Sequence, residues 1–182
     1  GEFDRAIEAL GGSSNAATGF DDVHFHVLVP PTAATEALEL LLNLVLTPAL
    51  RPEAYATERD VVLEEIAQYQ DQPDDQVLKQ LLEACCDEHP YGRPILGFEA
   101  SLKKSTPEQM REFHRRHYRG PNCCLAIAGA IPQGLEEILS NSQLAALDEI
   151  TTEGVDPACR PNLSFRKGRL EIQVPRLEST RL

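Results

Sequence analysis

The sequence predicts an α+β domain with helices packed on one face of an antiparallel or mixed sheet. Three observations carry that expectation. Several segments place apolar residues at helical spacing, and a few short ones alternate with period two. The two kinds come partly mixed and partly in runs, which separates this pattern from a regular βαβ repeat. Gly11-Gly12, Pro30-Pro31 and Gly120-Pro121 mark breaks between them.

Taken in order, residues 2–10 predict a short helix with Phe3, Ile7 and Leu10 on one side, stopped by Gly11-Gly12. Val23, Phe25, Val27 and Val29 alternate with His24, His26 and Leu28, the signature of a half-buried strand. His24 and His26 share a face of it. They read as solvated, with a metal pair as the competing reading. Pro30-Pro31 ends the strand, and Thr32 is placed to cap the next helix. Leu38, Leu41, Leu42 and Val45 give that helix its apolar stripe. Pro52 suits the first turn of a helix over residues 53–70. A polar turn at 71–75 leads into a helix over 74–86, with Val77, Leu78, Leu81, Leu82 and Cys85 expected inward.

Residues 88–98 form a loop whose two prolines and two glycines specify a shaped connection. Thr106-Pro107-Glu108-Gln109 is a strong helix start: Thr106 caps, Pro107 takes the first position and Gln109 completes a capping box. Met110, Phe113 and His117 share one face of this helix, and Arg111, Arg115 and Arg116 read as solvated. His114 and His117 read as structural. Residues 123–130 predict a short apolar strand and 132–140 a helix. Residues 145–162 read as a long irregular connection. A last strand follows at 168–175, and 176–182 look like the start of another element.

The 182 residues suffice for one sizeable domain, or a small one with extensions. A net charge of −12 argues against nucleic acid and against anionic membranes as partners. No apolar run is long enough to span a bilayer. The chain does not begin with Met, which predicts a processed or cut product. Cys85-Cys86 and Cys123-Cys124 lie on apolar stretches and read as buried thiols; with Cys159 they make five cysteines and no C-x-x-C. A reducing compartment follows as the simplest expectation, cytoplasmic or an organellar matrix.

One stretch carries chemistry. Glu58-Arg59-Asp60-Val61-Val62-Leu63-Glu64-Glu65 places Glu58 and Glu65 seven residues apart. On a helix that is about two turns, so the two carboxylates share a face roughly 10 Å apart along the axis. Val61 and Val62 lie between them and are expected to seat the helix on a core. A solvated acidic face and a rigid ligand or base both fit this spacing.

Four stretches in register add to this: Gly11-Gly12-Ser13-Ser14-Asn15-Ala16-Ala17-Thr18, Glu58-Arg59-x-Val61-Val62-x-x-Glu65, His89-Pro90-Tyr91-Gly92-Arg93-Pro94 and Tyr118-Arg119-Gly120-Pro121-Asn122. In this order the chain resembles the insulinase/pitrilysin family of zinc peptidases, which includes the mitochondrial processing peptidases. The resemblance covers residues 1–130 well and the remainder loosely. It implies a metallopeptidase half-domain, with a truncated N-terminal peptidase domain over 1–145. Residues 146–182 would lead toward a missing second domain.

The resemblance also implies a site. The family binds zinc through H-x-x-E-H and a distant Glu. Glu65 matches the distant zinc ligand, and Glu58 the acid that supports the site. The family adds extended peptides as a strand to a sheet edge. The segment Gly12–Thr18 matches that edge, with Gly12, Asn15 and Ala16 as substrate contacts. A turn or capping role for Asn15 is the alternative from the residues alone. No H-x-x-E-H occurs in the 182 residues. The expectation is therefore a zinc endopeptidase in the parent, with this chain inactive and holding no zinc tightly. A non-catalytic peptide-binding subunit of a processing-peptidase-like pair is the alternative. The partners implied are a peptide or protein substrate and a second homologous domain or subunit.

Overall fold

A computed structural model describes residues 1–70, 72–86, 89–142 and 144. In chain order its elements are α1 (Glu2–Ala9), β1 (Ser13–Thr18), β2 (Val23–Leu28), α2 (Ala34–Leu46), α3 (Pro52–Gln70), α4 (Pro73–Cys85), α5 (Glu99–Leu102), α6 (Pro107–His117) and α7 (Leu135–Asn141). Short 3-10 turns stand at Pro31–Ala33, Pro90–Gly92 and Gly120–Asn122. The fold class is α+β, helix-rich with a small antiparallel sheet. The described residues fall into two compact units, one built from Gly1–Arg51 with the residues from Thr106 onward, the other from Pro52–Ser105.

The first unit is organised around a β-hairpin. β1 and β2 pair antiparallel, from Ser13 opposite Leu28 to Thr18 opposite Val23. At the turn, the Gly19 N–H donates to the Asp22 carbonyl at 2.8 Å. Opposed residues share a sheet face, so Asn15 and Ala17 lie on the face of His26 and His24. Phe25 and Val27, on the other face, are half-buried. The alternation read from the sequence holds from His24 on, whereas Val23 is exposed at 44%.

α1 closes over one end of this hairpin. Gly11 adopts φ +77°, a left-handed conformation that ends the helix as the Gly-Gly pair predicts. Gly12 follows in a tight spot: a Cβ there would lie 2.5 Å from the Leu28 carbonyl oxygen and 3.2 Å from Ile7 Cγ2. Ile7 itself is fully buried, at 0% exposure. α2 packs against β2 through a stripe that includes the buried Ala37 and Leu38. Thr32 does not cap this helix. Pro31 starts a 3-10 turn first, so Ala33 becomes the N-cap and Thr32 sits inside the turn.

α6 begins as its sequence predicts. Thr106 Oγ1 accepts from the Gln109 N–H at 3.3 Å, and Gln109 Oε1 accepts from the Thr106 N–H at 3.0 Å. Its rotation differs from the expected one. A ring nitrogen of His114 lies 2.7 Å from the Val45 carbonyl oxygen, and an Arg111 guanidinium nitrogen donates to the Leu50 carbonyl at 2.8 Å. These anchors turn His114 inward, where it stacks on Tyr118 with ring centres 4.5 Å apart. Met110, Phe113 and His117 are left exposed. The stretch at 123–130 starts extended, at φ −110° and ψ 139° for Cys123, but pairs with no strand among the described residues. A strand is defined by its partner, so the apolar run alone did not suffice. α7 starts later than predicted because Gly134, at φ +70°, precedes it.

In the second unit, α3 packs on α4 and α5. Pro52 and Pro73 open α3 and α4, where a missing N–H costs no helical hydrogen bond. The hydroxyls of Tyr55 and Ser105 are hydrogen-bonded. Val62, Leu63 and Ile66 are half-buried and seat α3, whereas Val61 is exposed, contrary to the sequence expectation. On α4, Leu82 and Cys85 are half-buried, but Val77, Leu78 and Leu81 are exposed rather than inward. Periodicity marks an apolar stripe; it does not supply what covers it. The loop after α4 is shaped as predicted. Tyr91 N–H donates to His89 Nδ1 at 3.2 Å, and a Cβ on Gly92 would come within 2.6 Å of the Cys86 carbonyl oxygen.

Of the four described cysteines only Cys86 is buried, at 3%; Cys124 is exposed, which corrects the reading of both pairs as buried. The expected connection at 145–162, the strand at 168–175 and the terminal element at 176–182 lie outside the described residues.

Candidate functional site: a strand edge and an acidic helix

β1 holds Asn15 and Ala16, with Gly12 just before it. Among the described residues the sheet has two strands, so β1 is paired on one side only. The Ala16 N–H donates to Asn15 Oδ1 at 2.9 Å. This strand donor is satisfied by a side chain, as is usual where no neighbouring strand meets it. Residues 15–18 are all exposed. Gly12 acts from behind: any side chain there would push β1 away from β2 and α1. Ser14 adds a tie, donating from Oγ to Asp4 Oδ1 at 2.8 Å.

Glu58 and Glu65 stand on α3, in the other unit. Both are exposed, and among the described residues neither carboxylate has a hydrogen bond or ion pair. The neighbouring Arg59 is committed to Asp60 through contacts of 3.0 and 3.2 Å. No structural task within the described residues therefore uses either acid.

A cleft of about 520 Å³ opens in the first unit, lined by Phe20, Phe25, Leu41, Val45, Phe113 and Tyr118 among others. Burial pushes the Tyr118 hydroxyl and the Cys123 thiol up from their usual values, with the Cys123 charge a lesser cause at Tyr118. The lining of the cleft is mostly apolar but includes His117 and the pair Asp22 and His24, which lie 3.5 Å apart.

Among the described residues, helices pack on a small antiparallel sheet, which makes the chain an α+β protein. The chain belongs to the insulinase family. The model described as "Insulinase (Peptidase family M16)" matches residues 1–99, and that described as "Peptidase M16 inactive domain" matches 104–178. An uncharacterized zinc protease of Mycobacterium leprae is 35% identical over 127 residues, which is 70% of this chain and 28% of that protein. A protein named as a probable mitochondrial-processing peptidase subunit beta, from Arabidopsis thaliana, is 29% identical over 71% of this chain and 24% of its own length. A protease from Helicobacter pylori has a solved structure that shares the fold. Its TM-score is 0.77 at 23% identity, covering 92% of this chain and 40% of that one. The chain thus spans about a third or less of the curated relatives named here.

The names of these relatives imply zinc in the family. A catalytic zinc takes three protein ligands and keeps one position open. Among the described residues no group of three or more His, Cys, Asp or Glu side chains is arranged to hold a metal. Glu65 offers one donor set. The described residues therefore do not fit a catalytic zinc by themselves, and no reaction step follows from them. Among the described residues no helix is long and apolar enough to cross a membrane.

The sequence missed two features of the site region. One is the hairpin register, which sets Asn15 directly opposite His26. The other is Asp22 beside His24, with the carboxylate 3.5 Å from Nδ1. The four-residue turn at 19–22 was the available signal for both.

Proposed function

We propose that the chain is part of a zinc endopeptidase and lays an extended peptide along the free edge of β1. The observation that carries this reading is the edge itself. Among the described residues β1 is paired on one side only, and the Ala16 N–H is met by Asn15 Oδ1. An arriving peptide carbonyl replaces Oδ1 at that N–H, and the freed Asn15 amide turns to the peptide backbone. Main-chain pairing of this kind gives affinity with little demand on sequence. Gly12 keeps the strand seated while this happens.

Glu65 is proposed as the zinc ligand that this chain contributes, and Glu58 as its support. Their freedom from ion pairs among the described residues favours that assignment. By itself the chain is proposed to be inactive, since it has no H-x-x-E-H. A second homologous domain or subunit completes the proposed enzyme.

Titration of the isotope-labelled chain with an unstructured, extended peptide tests the docking edge. Shifts are expected to concentrate in the amides of residues 13–18. Ala16→Pro, which removes one N–H at an edge that tolerates proline, is expected to weaken binding by about tenfold. Shifts confined to other residues, or affinity unchanged in Ala16→Pro, would contradict the docking edge.

A further inference from the structure

We infer that His24 and His26, on the open face of β2, form a chelating site for an exchangeable divalent transition-metal ion. This site is separate from the zinc proposed to involve Glu65 and does not depend on that proposal. The two residues are i and i+2 on one strand, so both imidazoles leave the same face of the hairpin. Their ring centres are 6.0 Å apart and their planes differ by 24°.

The spacing admits one shared ion once the rings, stacked as they stand, turn their nitrogens toward each other. A metal–imidazole bond of about 2.0–2.1 Å puts the metal about 3.1–3.2 Å from each ring centre, so two rings on one ion have centres at most about 6.3 Å apart. The observed 6.0 Å lies inside that limit. A tetrahedral angle needs the rings about 1 Å closer, and the side chains are free to move. His24 is 57% exposed and His26 is exposed too, so among the described residues no packing opposes that rotation.

The surroundings favour a cation. The Asp22 carboxylate lies 3.5 Å from His24 Nδ1. A carboxylate this close adds negative charge beside His24, in the manner of the outer partners of metal-bound histidines. Across the hairpin, Asn15 and Ala17 occupy the same face opposite His26 and His24, and neither carries a positive charge. The whole chain carries a net charge of −12. Two imidazoles with water in the remaining positions suit zinc, nickel or copper(II) and not magnesium or calcium, which prefer oxygen ligands.

The test is calorimetric titration of the chain with zinc chloride at pH 7.5, with the imidazole signals followed by NMR. One equivalent is expected to bind with micromolar affinity and to perturb the His24 and His26 rings. His24→Ala and His26→Ala are each expected to weaken binding at least about tenfold, and Asp22→Asn by a smaller factor. His117→Ala is expected to change nothing. Acidification to pH 5 is expected to release the ion, because protons compete for the imidazoles. Both residues are exposed, so the alanine variants are expected to fold. Their circular dichroism spectra are expected to match the parent chain. Zinc binding that survives the double alanine variant, or is absent from the parent chain, would overturn the inference.

Discussion

Asn15 Oδ1 accepts the N–H of the residue that follows it, Ala16, at 2.9 Å. A strand that carried a neighbour on this edge would spend that N–H on the neighbour's carbonyl. The side chain thus marks where the sheet stops among the described residues and where a further strand fits. Asn15→Ala is expected to speed hydrogen exchange of the Ala16 amide by about fivefold to tenfold, the value of one modest hydrogen bond. Unchanged exchange would mean that the N–H finds another partner.

Gly12 is a packing requirement before it is anything else. A Cβ there would lie 2.5 Å from both the Leu28 carbonyl oxygen and Val29 Cγ1. Neither the strand backbone nor a branched side chain yields cheaply. Gly12→Ala is expected to destabilise the first unit by about 1–3 kcal/mol, read from urea unfolding. Stability equal to the parent would show that β1 moves freely off α1.

The histidine of α6 that works structurally is His114, not the more exposed His117. Its ring nitrogen reaches the Val45 carbonyl oxygen at 2.7 Å, and its ring stacks on Tyr118. His114→Ala is expected to cost about 1–3 kcal/mol, from one lost hydrogen bond and one left unsatisfied. His117→Ala is expected to cost less than about 0.5 kcal/mol, as for a surface change. Denaturant midpoints of the two variants, compared directly, decide it.

Glu108 supplies a pH test at the start of the same helix. Its own backbone N–H, then the Thr106 hydroxyl and the Arg111 guanidinium, hold its carboxyl below the ordinary value of 4.5. A group lowered on folding adds stability above its ordinary value and loses that contribution as the pH falls through the lowered one. An NMR titration is expected to place the Glu108 midpoint below 4.5, and Thr106→Val to move it back upward. A midpoint at or above 4.5 would remove the capping account of this carboxylate.

Local chemistry was legible in the sequence wherever neighbours in sequence are neighbours in space. Thr106 and Gln109 form their capping box, Gly11 ends α1 with a positive φ, and Pro52 and Pro73 open helices. Long-range choices were not legible. Which face of α6 turns inward depends on the Val45 carbonyl, 69 residues away. Leu78 and Leu81 sit on an apolar stripe whose cover no periodicity specifies. α5, at four residues, is too short to show a period. Asn15 and Ala16 came from family resemblance, and the register that sets Asn15 opposite His26 came only from the folded hairpin.

Glu65 is the residue proposed here to reach the zinc of a peptidase. Zinc affinity tests that role most directly, measured on two forms that both carry His24→Ala and His26→Ala. One form is this chain; the other bears about thirty further residues of its parent upstream, long enough for one two-turn metal-binding helix and its approach. The longer form alone is expected to bind one zinc tightly, and Glu65→Gln to weaken that binding by at least about tenfold. Equal binding with and without Glu65, or none in either form, would contradict it, and absence in both would favour a non-catalytic subunit that keeps only the β1 edge.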